Sequence, residues 1–387
     1  MSVGTPTQTL RQLQVIVWLQ WTGATLGLPL LPLFLEGHHA RPGTIGVIIA
    51  SFFLAGMLTQ FLAGHFADRF GRRAVLIGGL IAFGLASPTY LLDVNAHWFI
   101  LTRIIQGAAA GAIEVASLST VAGLFAEEER GQAMSKIYSA QLFGIAVGPL
   151  LGVWLAVSQI GWAYTGAGLA SLLAASVAKS RLPRLSIASR HEDLPPLRIT
   201  RQVIGAVVGA AGLGFAIGVY ESSWSLMMNS LGASVAQIRL SWTVFCIPWV
   251  VLSSVGGRVA DRFDRRFVAG AGLVNAAFFL WLYPHIHNPW VLVAIGSFES
   301  IGAALTAPSM SSLLTQGAHD RELGRRQGMS TTANTAALAL SAAISGPLFN
   351  VSPSTPFTVF ALMTALCAST LIIWWRHVEG RISASRN

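Results

Sequence analysis

The chain contains little charge and only two cysteines for its length of 387 residues. Asp, Glu, Lys and Arg make up 11% of the sequence, against about 25% in an ordinary soluble domain. So little charge cannot cover a soluble surface, and it is equally unlike an intrinsically disordered chain, which is polar and charged. Cys246 and Cys367 both lie in apolar runs, which argues against a disulfide framework.

Several functional motifs are also missing from the sequence. No phosphate-binding loop of the form Gly-x-x-x-x-Gly-Lys-Ser/Thr occurs, so nucleotide-driven pumping has no support. No spacing of a nucleophile and a base suggests a covalent catalytic site, and we expect no enzymatic activity. Histidines in the predicted outer loops have no metal-site spacing, so we expect neither a metal nor another cofactor. No cleavage site closes the first apolar run, which argues against a signal peptide.

What the chain has in abundance is apolar residues, at 53% with a mean hydropathy of +0.61. A membrane-spanning helix needs roughly 20 apolar residues, so twelve helices would use about 240. We therefore predict an all-α integral membrane protein with twelve transmembrane helices. The predicted spans are 12–35, 45–66, 74–92, 97–124, 132–157, 161–178, 202–229, 237–257, 267–284, 289–316, 327–350 and 355–375.

The basic residues lie in clusters between these spans. With a cytoplasmic N-terminus, 22 of the 25 Lys and Arg residues fall on the cytoplasmic side, Arg103 falls within a span, and Arg41 and Arg239 fall outside. This asymmetry obeys the positive-inside rule and predicts a multi-pass protein of the inner (plasma) membrane with both termini cytoplasmic. Because the basic residues do not line one face, the net charge of +9 does not indicate nucleic-acid binding.

The sequence repeats internally. Residues 63–73, AGHFADRFGRR, return as residues 256–266, GGRVADRFDRR, after an offset of 193. Between the halves, the longest break in the apolar pattern contains the pair Pro195-Pro196. We predict an N-terminal six-helix bundle at 1–178, a cytoplasmic linker at 179–201 and a C-terminal six-helix bundle at 202–387, with the two bundles as parallel repeats of the kind that transporters use.

Four short motifs occur in chain order on or beside the predicted spans. They are Gly27-Leu28-Pro29-Leu30-Leu31-Pro32 in helix 1, Gly64-x-x-x-Asp68-Arg69-x-Gly71-Arg72-Arg73 after helix 2, Arg103-x-x-Gln106-Gly107 with Gly111 in helix 4, and Gly144-x-x-x-Gly148-Pro149-x-x-Gly152 in helix 5. Together they resemble the signatures of the major facilitator superfamily, and in particular its twelve-helix drug:proton antiporter branch. The fifth-helix motif departs from the usual pattern, because Val153 replaces a final glycine.

The resemblance implies roles for two of these motifs. The loop motif around Asp68 is expected to act as a charge latch between the two halves, with a solvated turn as the alternative. Its second copy contains Asp261 and Arg262 but has Asp264 where the first copy has Gly71. The helix-5 glycines and Pro149 are expected to gate the conformational change, with plain helix packing as the alternative.

Ionisable residues inside spans are costly and usually functional. Arg103 and Glu114 lie eleven residues apart on the fourth span, which places them on one face, while Glu221 and Glu299 lie on the seventh and tenth. In the fold that the resemblance implies, these helices line a central cavity, where we expect Glu299 to face Arg103.

Removal from water favours the protonated carboxyl group, so the three glutamates are candidates for proton coupling. The alternative is that they remain neutral or hydrogen-bonded. Other polar or aromatic residues predicted to contact the cavity are Gln106, Gln20, Trp21, Tyr138, Gln141, Trp224 and Asn334.

These observations predict a secondary active transporter that exports lipophilic or cationic small molecules by proton-coupled antiport and alternating access. We expect the proton gradient to be its energy source, and substrate, protons and the lipid bilayer to be the partners of a monomer. One alternative is a dedicated exporter or uptake facilitator of a metabolite such as a sugar, siderophore or amino-acid derivative. A more remote alternative, a sensor or scaffold that does not transport, would need neither the loop motif nor the carboxylates.

Overall fold

The computed structural model describes residues 5–125, 127–152, 157–182, 199–262, 265–315 and 320–384. Within these ranges the regular structure consists of α-helices, short 3-10 segments and one π-turn, without any β-strand. Contacts between Cα atoms divide the chain into two compact units, Met1–His191 and Glu192–Asn387. The predicted all-α fold is thus confirmed for the described residues.

The first unit begins with a pair of consecutive helices, α1 and α2, and continues with five further helices. Its elements are α1 (Pro6–Leu26), α2 (Leu31–Gly37), α3 (Pro42–Phe70), α4 (Arg72–Ala86), α5 (Trp98–Leu124), α6 (Glu127–Leu151) and α7 (Ile160–Arg181). Thr5 caps α1 through a reciprocal pair of hydrogen bonds with Gln8. Between α1 and α2 the chain forms a 3-10 turn that contains Pro29, which has no N–H to continue the α-helical hydrogen bonds.

The second unit has the same number of long segments. Its elements are α8 (Arg201–Val219), a π-turn (Tyr220–Trp224), α9 (Ser225–Ser230), α10 (Val235–Arg262), α11 (Arg265–Leu282), α12 (Pro289–Thr315), α13 (Asp320–Val351) and α14 (Thr355–Ala384). Here the π-turn joins α8 to α9 within one continuous helical segment, so α8 with α9 forms one predicted span, as α1 with α2 does. The predicted linker at 179–201 lies largely outside the described residues.

The twelve helical segments correspond to the twelve predicted spans. Within the described ranges, nine are long and apolar enough to cross a membrane. The helices α6, α10 and α13 are outside that group when only the described residues are counted. Large apolar side chains such as Leu85, Leu169 and Leu366 are exposed along the helices, as expected for side chains that contact lipid.

Helix packing follows one pattern in both units. In the first unit α3 packs against α5, α1 against α6 and α7, and α4 against α5 and α7. In the second unit α10 packs against α12, α8 against α13 and α14, and α11 against α12 and α14. Each helix in one unit therefore has the partners of its counterpart in the other, and the sequence repeat is also a repeat of packing.

Close helix approach in the first unit depends on small residues. A side chain at Gly107 of α5 would collide with the carbonyl oxygen of Phe52 on α3, and a Cβ at Gly111 would come within 2.5 Å of the carbonyl oxygen of Gly56. Such glycine contacts allow helix backbones to approach in a membrane, where lipid is as apolar as the side chains. These contacts fix how closely α5 lies against α3, and therefore how near the polar residues of α5 come to α3.

Candidate functional site

Glu299 on α12 lies in the interior of the second unit, with 3% of its surface exposed. Each oxygen of its carboxyl group accepts one hydrogen bond from a tyrosine. The Tyr220 hydroxyl donates to Oε1 and the Tyr283 hydroxyl donates to Oε2, both at 2.5 Å. This distance is typical of a hydroxyl that donates to a charged oxygen, so the geometry fits an ionised carboxylate.

Three elements place these groups together. Tyr220 opens the π-turn after α8, while Tyr283 opens the 3-10 turn that follows α11. The Asn275 side chain of α11 donates to the backbone carbonyl of Glu299 at 3.1 Å and fixes α12 against α11. The carboxylate is therefore held from two sides by hydroxyl groups that belong to different helices.

Aromatic rings surround the carboxylate and its two tyrosines. Trp224 packs edge-on against Tyr283 with ring centroids 4.8 Å apart, and its indole N–H donates to Ser241 of α10 at 2.8 Å. The rings of Phe245 and Phe357 each lie 6.5 Å from that of Tyr220. A carboxylate among aromatic faces can attract a cation that carries apolar groups. The structure thus places Trp224, a predicted site residue, against Tyr283, which donates to Glu299.

Glu221 follows Tyr220 in the same π-turn and is half-buried. Its neighbour Tyr220 contacts Glu299. Two predicted carboxylates are consequently linked through adjacent residues of one turn. Single π-turns within helices frequently occur at functional sites.

Arg103 on α5 is a buried charge in the first unit, with 4% of its surface exposed. Its guanidinium carbon lies 5.2 Å from the ring centre of Phe52 and 5.8 Å from that of Tyr164. Arg103 also donates to the Tyr164 hydroxyl at 3.4 Å. Cation–π contacts of this kind stabilise a guanidinium that has been removed from water.

Gln106 lies one turn further along α5 and is fully buried. Its amide nitrogen donates to Ser87 at 3.1 Å, and its oxygen accepts from the Tyr90 hydroxyl at 3.4 Å. The Tyr90 ring stacks on Tyr164, with centroids 4.2 Å apart. Arg103 and Gln106 therefore share one aromatic and polar niche inside the first unit.

The side chains around Gln106 and those around Glu299 form two niches that are repeats of one arrangement. In both, a tyrosine at the end of one helix donates to the side chain of a neighbouring helix, an amide in the first unit and a carboxylate in the second. The residues involved are separated by the same 193 positions as the repeated loop motif, in the pairs Phe52 and Phe245, Tyr90 and Tyr283, Gln106 and Glu299, and Tyr164 and Phe357.

The two niches differ in the group that lies between the paired rings. In the first unit the Arg103 guanidinium contacts Phe52 and Tyr164, and in the second the Tyr220 ring lies near Phe245 and Phe357. The repeat has thus become a cationic niche in one unit and an anionic niche in the other.

Glu114 lies nearer the second end of α5 and is half-buried. The Gln60 amide of α3 donates to its Oε2 at 3.0 Å. Tyr138 of α6 lies near Glu114 and is 41% exposed. Arg103 and Glu114 thus have separate side-chain surroundings on the helix that they share.

The remaining predicted cavity residues have packing contacts within their own unit. Gln20 of α1 is buried and accepts from Ser171 of α7 at 2.6 Å, and Trp21 packs against the apolar core of the first unit. Asn334 of α13 donates to the carbonyl of Ala210 on α8 at 2.9 Å. Gln141 on α6 is half-buried.

The loop motif joins α3 to α4. Gly71 has φ +88° and ψ 140°, a conformation that favours glycine, and Arg69 is exposed beside the Phe70 ring. The guanidinium of Arg72 reaches Gly123 near the end of α5, and Arg73 donates to the carbonyl of Lys179 in the last turn of α7. The side chains of Asp68, Asp261 and Arg262, and the surroundings of Gly64, lie outside the described residues.

The contact of Arg73 with α7 leads to a stability prediction. Because the last carbonyls of a helix lack partners within it, a cation there stabilises the helix by about 0.3–1 kcal/mol. We expect Arg73→Gln to lower the thermal unfolding midpoint of the detergent-solubilised protein. Arg41→Gln is the control, since Arg41 is exposed at the N-terminus of α3, where a cation gives no such gain. Equal midpoints for the two variants would contradict the capping role.

The glycines of the helix-5 motif face α1. A Cβ at Gly144 would lie 2.9 Å from the Trp18 carbonyl oxygen, and one at Gly148 would lie 2.6 Å from that of Thr22. Gly152 lies in the same way against Leu26, and Pro149 is buried. These contacts establish a packing surface within the first unit, and the gating role remains a prediction.

Four tyrosines that contact the buried charges or Gln106 were not predicted from the sequence, namely Tyr90, Tyr164, Tyr220 and Tyr283, whereas Tyr138 was. The chain has five tyrosines but 20 phenylalanines, and all five tyrosines lie near a candidate charge or amide. Tyr220 and Tyr283 contact Glu299, Tyr90 and Tyr164 surround Arg103 and Gln106, and Tyr138 lies near Glu114. The rarity of tyrosine and the 193-residue separation of Tyr90 and Tyr283 were the available signals.

Comparisons with known proteins agree with this architecture. A family model described as Major Facilitator Superfamily matches residues 14–199 and 204–385. Multidrug resistance protein 2 of Bacillus subtilis (strain 168) is 24% identical over 387 residues, which cover 95% of each chain. Quinolone resistance protein NorA of Staphylococcus aureus (strain COL) is 22% identical and covers 88% of this chain and 89% of its own.

Solved structures of low sequence identity share the fold. A D-xylose-proton symporter superimposes with a TM-score of 0.76 at 17% identity, over 94% of this chain and 96% of its own. The human organic anion transporter MFSD10 (TETRAN) superimposes with a TM-score of 0.71 at 18% identity, over 95% of this chain and 100% of its own.

Proposed function

The chain belongs to the Major Facilitator Superfamily, and from that premise we propose that it exports lipophilic or cationic small molecules in exchange for protons. It is a multi-pass membrane transporter of an all-helical family. The relatives named for multidrug and quinolone resistance support export as the direction and organic molecules as the substrate class. We further propose that the protein acts as a monomer in the plasma membrane with both termini cytoplasmic, and that it needs no cofactor and catalyses no chemical reaction.

The observation that carries this proposal is the buried carboxyl group of Glu299 between two tyrosine hydroxyls. A carboxylate paired with an arginine or lysine would remain ionised, because the opposite charge stabilises it. Glu299 is instead held by neutral donors, so it can accept a proton without breaking an ion pair. A group that changes its charge within a buried site can link proton binding to a change in the transporter.

Antiport follows because the proton and the cationic substrate compete for the Glu299 carboxylate. When Glu299 is ionised, its charge and the faces of Trp224 and Tyr283 attract a cation with apolar groups. When Glu299 binds a proton, this attraction is lost and the cation is released. Proton binding and cation binding therefore oppose each other, which is the thermodynamic requirement for antiport.

The test is transport in proteoliposomes that contain the purified protein. We expect an imposed proton gradient to drive lipophilic cations against their concentration gradient, and collapse of the proton gradient with an ionophore to abolish this accumulation. Sugars, amino-acid derivatives and siderophores are screened in the same assay. Uphill movement of one of these alone would favour a dedicated metabolite transporter, and no response to any compound would contradict the proposal.

The loop motif gives a separate prediction for turnover. We propose that Asp68 acts at a gate and does not contact substrate, so Asp68→Asn should lower the transport rate several-fold with little change in substrate affinity. Binding and transport are measured on the same preparation. Equal loss of both would indicate misfolding, and loss of neither would return Asp68 to the role of a solvated turn residue.

A further inference from the structure

The two hydrogen bonds to Glu299 differ in their surroundings. The bond from Tyr283 is buried, and the Tyr283 ring is packed against Tyr220, Trp224 and Phe279 with 1% of its surface exposed. The bond from Tyr220 is only partly buried, and the Tyr220 side chain in the π-turn keeps more solvent-accessible surface than that of Tyr283. The two tyrosines are therefore not equivalent, although both hold the same carboxylate.

Protonation must disturb one of these bonds. An ionised carboxyl group accepts from both hydroxyls, whereas a protonated one has an O–H that donates and leaves only its carbonyl oxygen as a good acceptor. The tyrosine beside the new O–H can then no longer donate to that oxygen, although its own oxygen can accept from the O–H, and its hydroxyl hydrogen needs another acceptor. A buried hydroxyl hydrogen without an acceptor is costly, so the donated bond that can be given up is that of the less buried Tyr220.

We propose that Tyr220 and Tyr283 are positioning residues for Glu299. Tyr283 donates its hydrogen bond in both protonation states, whereas Tyr220 stops donating when the carboxyl group binds a proton. This inference rests on the proposed function of Glu299 as the proton-binding group. In the step, the carboxylate takes one proton from water and forms one O–H bond, while Tyr220 keeps its own proton. When the proton returns to water, the Tyr220 hydroxyl donates to Oε1 again.

The titratable groups around Glu299 make this assignment testable. Tyr220 from the π-turn and Tyr283 from the turn after α11 contact the carboxyl group directly. Glu221 follows Tyr220 in the π-turn, and α10, the helix that packs against α12, contains Cys246 and Arg239. Because the two contacting groups are both tyrosines, vibrational spectroscopy can distinguish their roles through variants that remove one hydroxyl each.

The experiment is infrared difference spectroscopy of the full-length protein in liposomes, between acidic and alkaline buffer. In the wild type we expect a protonated carboxyl band, absent in Glu299→Gln, together with tyrosine bands that report the changed hydroxyl. The tyrosine bands should vanish in Tyr220→Phe and persist in Tyr283→Phe. In the transport assay, Tyr220→Phe should lower uphill efflux about tenfold while downhill exchange persists.

Each outcome decides a separate point. Tyrosine bands that persist in Tyr220→Phe, or vanish only in Tyr283→Phe, would overturn the inference and leave the role of Glu299 intact. A carboxyl difference spectrum that Glu299→Gln leaves unchanged would overturn the inference and the proton role of Glu299 together. Should Tyr220→Phe fail to fold, wild-type protein with ring-deuterated tyrosine still answers the question, since tyrosine bands that do not shift on deuteration would contradict any movement of a tyrosine.

Discussion

Replacing Glu299 by glutamine is expected to abolish proton-driven uphill efflux while the protein stays folded. Glutamine keeps the shape of the side chain and can still accept a hydrogen bond through its amide oxygen, but it cannot bind and release a proton. A site with equal affinity for the substrate in every protonation condition shifts no equilibrium. The substrate concentration ratio across the membrane should therefore fall to about 1, and some downhill exchange is expected to survive.

The control for this variant is Glu36→Gln. Glu36 is exposed near the end of α2, so the substitution removes the same charge from a position outside the candidate site and should leave uphill efflux unchanged. Glu221→Gln is expected to cause a similar but smaller defect, and Glu114→Gln the mildest. If Glu299→Gln concentrates substrate with the wild-type response to pH, the coupling role passes to Glu221 or Glu114.

Gly107→Ala is expected to destabilise the first unit strongly. The added methyl group would collide with the carbonyl oxygen of Phe52, and neither backbone can move without separating α3 from α5. Overpacking of this kind costs about 1–3 kcal/mol, a large part of the stability of a typical protein. The thermal unfolding midpoint in detergent should fall clearly below that of the wild type, and the yield of monodisperse protein should fall with it.

The matched control is Gly78→Ala on α4. Gly78 is exposed, and a Cβ there would meet no atom within 4 Å, so the same substitution tests only the change in helix propensity, which favours alanine. Its midpoint should equal or exceed that of the wild type. Similar midpoints for Gly107→Ala and Gly78→Ala would show that the α3–α5 approach is wider than described.

The sequence predicted the helices well because their signal is strong. Each span is a long apolar run between basic clusters, and the chain breaks such as Pro29 occur inside a run without ending it. Glu299 and Arg103 were identifiable as candidates because a charge in an apolar run is conspicuous. These conclusions need only the local sequence and the lipid environment that its apolar runs imply.

The partners of those charges could not be predicted in the same way. Whether Tyr220 meets Glu299 depends on the rotation of α8, which the π-turn changes, and on how closely α12 approaches α11. The spacing of Arg103 and Glu114 placed them correctly on one helix, but their surroundings depend on what α3 and α7 present to each level of α5. Such contacts depend on packing between helices. Their sequence signal is the 193-residue separation of equivalent residues such as Tyr90 and Tyr283.

The most direct test of the account is the internal pH of proteoliposomes when a lipophilic cation is added without an imposed proton gradient. A pH-sensitive dye inside the vesicles reports protons that move in exchange for substrate. The account predicts a substrate-dependent change of internal pH with the wild type and with Glu36→Gln, and none with Glu299→Gln. Substrate uptake without any pH change in the wild type, or an unchanged pH response in Glu299→Gln, would contradict it.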